Sequence, residues 1–183
     1  MKFRYLYLTV CGLVLAGIVH ISIILLIPDY GSRDAWNIIS SKTDMWVFRT
    51  FSRNDDIASA LEDTDPFLQL GACTFDLGEA GLQFTGAQSN KFWSLSVFDQ
   101  DGKVLYSLNN RTAIDNKLDL VVLNAVQMND LREAPPGEIE RSVVVEADIE
   151  KGFVVLRQFR NDLETNNDID AFMQQAKCKR FNS

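Results

Sequence analysis

The stretch "FWSLSVFDQDGKVLYSLNNRT", Phe92 to Thr112, decides the fold. Asp101-Gly102 has the composition of a two-residue turn that tolerates positive φ at both centres and so matches the twist of its flanking strands. With that pair as the loop, Gln100 faces Lys103, Phe98 faces Leu105, Val97 faces Tyr106 and Leu95 faces Leu108. Alternation along the two strands then separates two faces. One collects Trp93, Leu95, Val97, Val104, Tyr106 and Leu108; the other collects Ser94, Ser96, Ser107 and Asn109, interrupted by Phe92, Phe98 and Leu105. A slip of one residue would exchange the faces, so the pattern fixes the register. The expectation is half of a packed sheet with one wetter side. Phe92, Ser94, Ser96, Phe98, Ser107, Asn109 and Arg111 form the candidate surface for a ligand or partner, the plainer reading being an ordinary solvated face.

Outward from the hairpin, the chain keeps a period of two. "FLQLGACTFDL" and "GLQFTGA" read as short strands divided by Gly-containing turns, and "KLDLVVLNAVQM" (Lys117–Met128) is strand-like, with a helix as the alternative. "REAPPGEIER" reads as a loop. "SVVVEAD" and "GFVVLRQFR" read as a second pair of strands joined near Glu150-Lys151-Gly152. A helix is predicted over 166–177, where Thr165-x-x-Asp168 resembles a capping box and Ile169, Phe172, Met173 and Ala176 share a stripe. Asn54–Pro66 reads as a short helix or helical turn. About seven strands and one C-terminal helix favour a mainly β, sandwich-like antiparallel domain over a parallel α/β fold.

Location is written in the N-terminal segment. Tyr5 to Ile27 holds no charged residue, and as a helix it would be about 35 Å long, slightly more than a bilayer core. The run exceeds the apolar core of a secretory signal, and "IPDYGSRD" offers no small-x-small cleavage site, which favours an uncleaved anchor. Lys2 and Arg4 lie before the span and Arg33 and Lys42 after it, a modest inside-positive bias. The simplest topology leaves residues 1–4 as a cytoplasmic tip and spans the bacterial inner membrane with 5–27. Residues 28–66 follow as a juxtamembrane segment containing a short amphipathic helix, and 67–183 form the periplasmic β domain. Tyr5, Tyr7 and Trp36 are candidate interfacial anchors. His20, the protein's one histidine, lies inside the span. Without an acidic partner there it reads as a helix contact rather than a proton relay.

Beyond the span, 16 Lys plus Arg stand against 25 Asp plus Glu, a net of −9. That balance argues against nucleic acid and anionic lipid surfaces as partners. Cys73 and Cys178 are the exported cysteines, and a pair in an oxidising compartment suggests a disulfide, with two buried thiols as the alternative. A Cys–His catalytic pair and most zinc arrangements need a histidine that the exported part lacks. No catalytic, metal-binding or cofactor-binding constellation emerges. Asp76, Glu79, Asp99 and Asp101 are candidates for a carboxylate-based glycan hydrolase only through their nearness to the hairpin.

Gly71–Ala113 resembles the uncharacterised domain-of-unknown-function family 1254. The resemblance rests on Asp76, Gly86, Trp93-Ser94-Leu95, Phe98-Asp99, Asn109 or Asn110, and Arg111. The segment "AGIVHISIILLIPDYGSRDAW" and the terminal "AKCKRF" are similar to small envelope members of that group. The resemblance implies a β-rich sandwich outside the inner membrane, with no established catalytic residue to carry over. Longer relatives add a second β domain that has no counterpart here. The combined expectation is a single-pass envelope protein whose β domain binds another envelope protein, with envelope glycan or a small ligand as the alternative.

Overall fold

A computed structural model describes residues 2–51, 67–89, 91–159 and 167–181. Helix α1 (Lys2–Lys42) is followed by β1 (Arg49–Phe51), β2 (Leu68–Asp76), β3 (Gly81–Gln88), β4 (Trp93–Asp99), β5 (Val104–Asn109) and β6 (Lys117–Leu123). Then come α2 (Ala125–Glu133), β7 (Val143–Glu146), β8 (Lys151–Phe159), α3 (Asn167–Gln175) and β9 (Lys177–Phe181). The strands form a five-stranded sheet, β1-β2-β8-β4-β5, and a four-stranded sheet, β7-β6-β3-β9. All pairings are antiparallel except β6 with β7. The expected sandwich is present. The helix expected at 54–66 and Thr165 of the expected capping box lie outside the described residues.

Alternation fills the space between the sheets. Cys73, Phe75, Trp93, Leu95, Val97, Leu108, Val154 and Leu156 from the first sheet meet Leu82, Phe84, Leu118, Leu120 and Val122 from the second. Phe172, Met173 and Ala176 close the core beside them. Cys73 and Cys178 are disulfide-bonded, joining β2 to β9 and hence one sheet to the other. The expected pairing is present, and Cys178 lies on strand β9, just beyond the C-terminal helix. That helix ends at Gln175, and Lys177 begins β9, whose five residues pair with β3.

Other expectations change where long-range pairing decides. "SVVVEAD" and "GFVVLRQFR" do not pair with each other: β7 runs parallel to β6 in the second sheet, while β8 lies between β2 and β4 in the first. The run Lys117–Met128 is strand only to Leu123. Asn124 then caps α2, accepting the Gln127 N–H at 2.9 Å while the Gln127 side chain accepts the Asn124 N–H at 3.0 Å. The sequence signal was Asn124-x-x-Gln127. Gly137–Arg141, in the expected loop, is a short 3₁₀ helix.

The hairpin keeps its register at Leu95–Leu108 and Val97–Tyr106, but Phe98 faces Val104 instead of Leu105. The connection is longer than expected: Gly102 donates to the Asp99 carbonyl, Asp99 donates to the Lys103 carbonyl, and only Gly102 takes positive φ, at 74°. A type I turn closed by a left-handed glycine uses three residues and adds a bulge. Leu105 is a further extra residue in β5. It therefore rotates against the core, and Val104 turns outward.

Helix α1 is the other departure. Its 41 residues make it roughly 60 Å long at the usual helical rise. Phe3–Leu26 has a mean hydropathy of 2.5, is wholly exposed, and is long and apolar enough to cross a membrane. The helix does not stop there. Its last turns lie on the outer face of the first sheet, where Trp36 and Ile39 pack with Phe51, Leu70, Ala72, Phe153 and Val155. Trp36, expected as an interfacial anchor, places its ring 6.2 Å from that of Phe153. The opposite outer face is covered by α2 through Met128 and Leu131 against Val121 and Leu123.

Candidate partner-binding face

Pairing across β2, β8, β4 and β5 sorts the outer face of the first sheet into rows, because residues directly opposite in a ladder share a face. Thr74, Phe153, Phe98 and Val104 form one row, and Ala72, Val155, Ser96 and Ser107 the next. Leu70, Arg157, Ser94 and Asn109 form the third. Leu68 and Phe159 form the last, with the Phe159 N–H donating to the Phe92 carbonyl at 2.9 Å. The helix covers the apolar part of this surface. What remains open is the hairpin side.

All the hairpin residues singled out from sequence lie on or beside this open side, but they differ in availability. Ser96 is buried, and its hydroxyl pairs with that of Ser107 at 3.1 Å. Phe98 stacks on Phe153, with ring centroids 4.9 Å apart. The Asn109 Oδ1 accepts the N–H groups of Arg111 and Thr112 at 2.9 and 3.1 Å, so that carbonyl is committed to holding the turn after β5. Arg111 is exposed on that turn. Ser94 is half-buried, and Phe92 is 50% exposed.

Arg157 is the residue that sequence reading missed. It sits on β8 between Leu70 and Ser94. Burial pulls its guanidinium pKa below the usual value, since low-dielectric surroundings penalise the charged form. The ion pairs among the described residues are Lys117–Asp119, Arg132–Glu146, Lys151–Asp76 and Arg180–Glu79, and none reaches it. Beyond it, Phe159 is 45% exposed and stacks with Phe67 at 6.3 Å. The available signal was Val155-x-Arg157-x-Phe159, a cation at an outward position of an apolar strand. It stayed illegible because its meaning depends on which strands flank β8.

The remaining candidates are spread elsewhere. Asp76 accepts the Gly78 N–H at 2.9 Å and lies 3.6 Å from Lys151; Glu79 pairs with Arg180 at 2.8 Å. Asp99 accepts the Lys103 N–H at 2.8 Å, and Asp101 is an exposed turn residue. The carboxylates of Asp76, Glu79 and Asp99 hold turns and strand ends. His20 is exposed on the apolar span, far along α1 from the sandwich. At one end of the core, a cleft of about 430 Å³ runs between Ala87, Gln88, Ser89 and Lys91 on one side and the α3 residues Ala171, Phe172 and Gln175 on the other. Nearby, Trp93 stacks on Phe172 at 6.2 Å, and the Gln158 amide beside Trp93 is buried without a hydrogen-bond partner.

No family model matches the chain, and no curated protein matches it. Among solved structures, the fold is similar to the VPA0106 protein from Vibrio parahaemolyticus. The TM-score is 0.59 and the identity 13%, with 85% of this chain and 36% of that chain covered. An uncharacterised protein from Burkholderia cenocepacia is matched with a TM-score of 0.46 and 18% identity over 84% of this chain and 41% of that one. The chain thus spans little more than a third of the length of VPA0106. At this identity the likeness is one of fold.

Proposed function

We propose that this protein is a membrane-anchored interaction module of the bacterial cell envelope. In this reading α1 crosses the inner membrane once, residues 1–4 are cytoplasmic, and the sandwich stands in the periplasm and engages another envelope protein. The observation that carries it is the continuity of α1. One helix runs from the apolar segment to the outer face of the first sheet, which supports a sandwich carried directly on a membrane stem. The Cys73–Cys178 bond supports an oxidising compartment. The resemblance to family 1254 belongs to the same proposal.

Two measurements test this. Protease added to spheroplasts is expected to digest the sandwich and spare the span; protection of the sandwich would refute the topology. Photo-crosslinking from a panel of exposed sandwich positions in intact cells is expected to give discrete protein adducts. Their absence at every position would refute the interaction role.

A further inference from the structure

We infer that Arg157 is the anion-binding centre of the open face, and that it takes a carboxylate from an acidic residue flanked by apolar side chains on a protein partner. This deepens the interaction reading and rests on it. A half-buried guanidinium is costly unless its charge is matched. Among the described residues Arg157 has no carboxylate, while the other described ion pairs lie elsewhere. Its planar fork of donors suits a carboxylate. Ser94, directly opposite, adds a hydroxyl donor. Phe159 on its own strand and Phe92 at the start of the neighbouring one expose their rings next to that row. A partly buried arginine bordered by aromatic rings has the composition of an energetic centre of a protein interface.

A glycan fits less well. Ser96 and Ser107 satisfy each other, and the Asn109 carbonyl holds a turn, so few groups remain to read sugar hydroxyls. A polyanion would meet the net charge of −9 carried by the exported part.

The test uses the full chain in its own membrane, with Phe92 replaced by the photoreactive p-benzoylphenylalanine. The expected result is an adduct whose partner peptide contains Asp or Glu. Its yield should fall at least tenfold in Arg157→Met. It should fall equally in Ser94→Glu, which supplies a carboxylate from the opposing strand; with an unchanged unfolding midpoint, this variant decides the matter if Arg157→Met does not fold. Pairing Arg157→Glu with an Asp→Arg or Glu→Arg change in the partner should restore the adduct. An adduct indifferent to both single variants, one within the chain itself, or one removed by a glycan hydrolase would overturn the inference. No adduct at position 92, with adducts elsewhere on the sandwich, would overturn it while sparing the interaction role; silence at every position would end both.

Discussion

Gly152 shows how a single position sets the distance between strands. A Cβ there would run into the Phe98 carbonyl oxygen and the Phe75 ring. Backbone cannot move aside as a flexible side chain can, so Gly152→Ala is expected to cost about 1–3 kcal/mol in denaturant unfolding, as overpacked cores do. Asn124 is tied more widely than a simple cap. Its side chain accepts from Gln127 and donates to the Leu77 carbonyl at 3.0 Å, and Gln127 donates to the same oxygen at 2.9 Å. Asn124→Ala should therefore exceed the usual loss of about 1 kcal/mol for a cap, because the Leu77 carbonyl loses a partner as well; urea titration of the variant checks it. At Trp46 the backbone adopts φ of 65°, an uncommon conformation for a bulky residue. It is held by its N–H to the Thr74 carbonyl at 2.9 Å and by Arg180 lying 5.5 Å over its ring.

Among the elements, α1 changes character along its length. Phe3–Leu26 is exposed and long and apolar enough to cross a membrane, whereas the last turns bury one stripe against the first sheet. Ile39 is 1% exposed and central to that stripe. Ile39→Ala is expected to cost about 2–5 kcal/mol, the range for truncating a buried aliphatic side chain. Hydrogen exchange should show the loss concentrated in residues 35–42 and the β2–β8 pair, because the span itself gains nothing from Ile39. The hairpin teaches a related lesson. Its alternation was enough to set Leu95 against Leu108 and Val97 against Tyr106, since one buried face tolerates no slip there. Near the turn that constraint relaxes. Glycine then takes the left-handed position of a longer connection, and Leu105 enters the core where Val104 was expected.

Across the whole molecule, the disulfide spans 105 residues of sequence and ties β2 of one sheet to β9 of the other. Removing it frees a long loop in the unfolded chain. Reduction, or Cys73→Ala with Cys178→Ala, should lower unfolding stability by about 2–5 kcal/mol. Chemical denaturation of the detergent-solubilised protein with and without reductant measures it. The span makes a separate prediction: the intact protein should stay with membranes through alkaline carbonate washing, whereas a chain lacking residues 3–26 should be released, since those residues contribute no packing to the sandwich. Retention of that shortened chain would show that the sheet face itself binds the membrane.

Local signals were sufficient for what depends on neighbours in sequence. The apolar run near the N-terminus, the two-residue period of the strands, the helical stripe at Phe172 and Met173, and a pair of cysteines for one bond each follow from side-chain chemistry within reach of its own segment. Sheet membership was decided only in three dimensions. Pairing is a long-range choice, and β7 and β8, alike in composition and adjacent in the chain, went to opposite sheets. The same holds for the candidate site. The polar hairpin side could be read from alternation, but Arg157 acquired its meaning only when β8 was placed between β2 and β4 and left its guanidinium half-buried between Leu70 and Ser94.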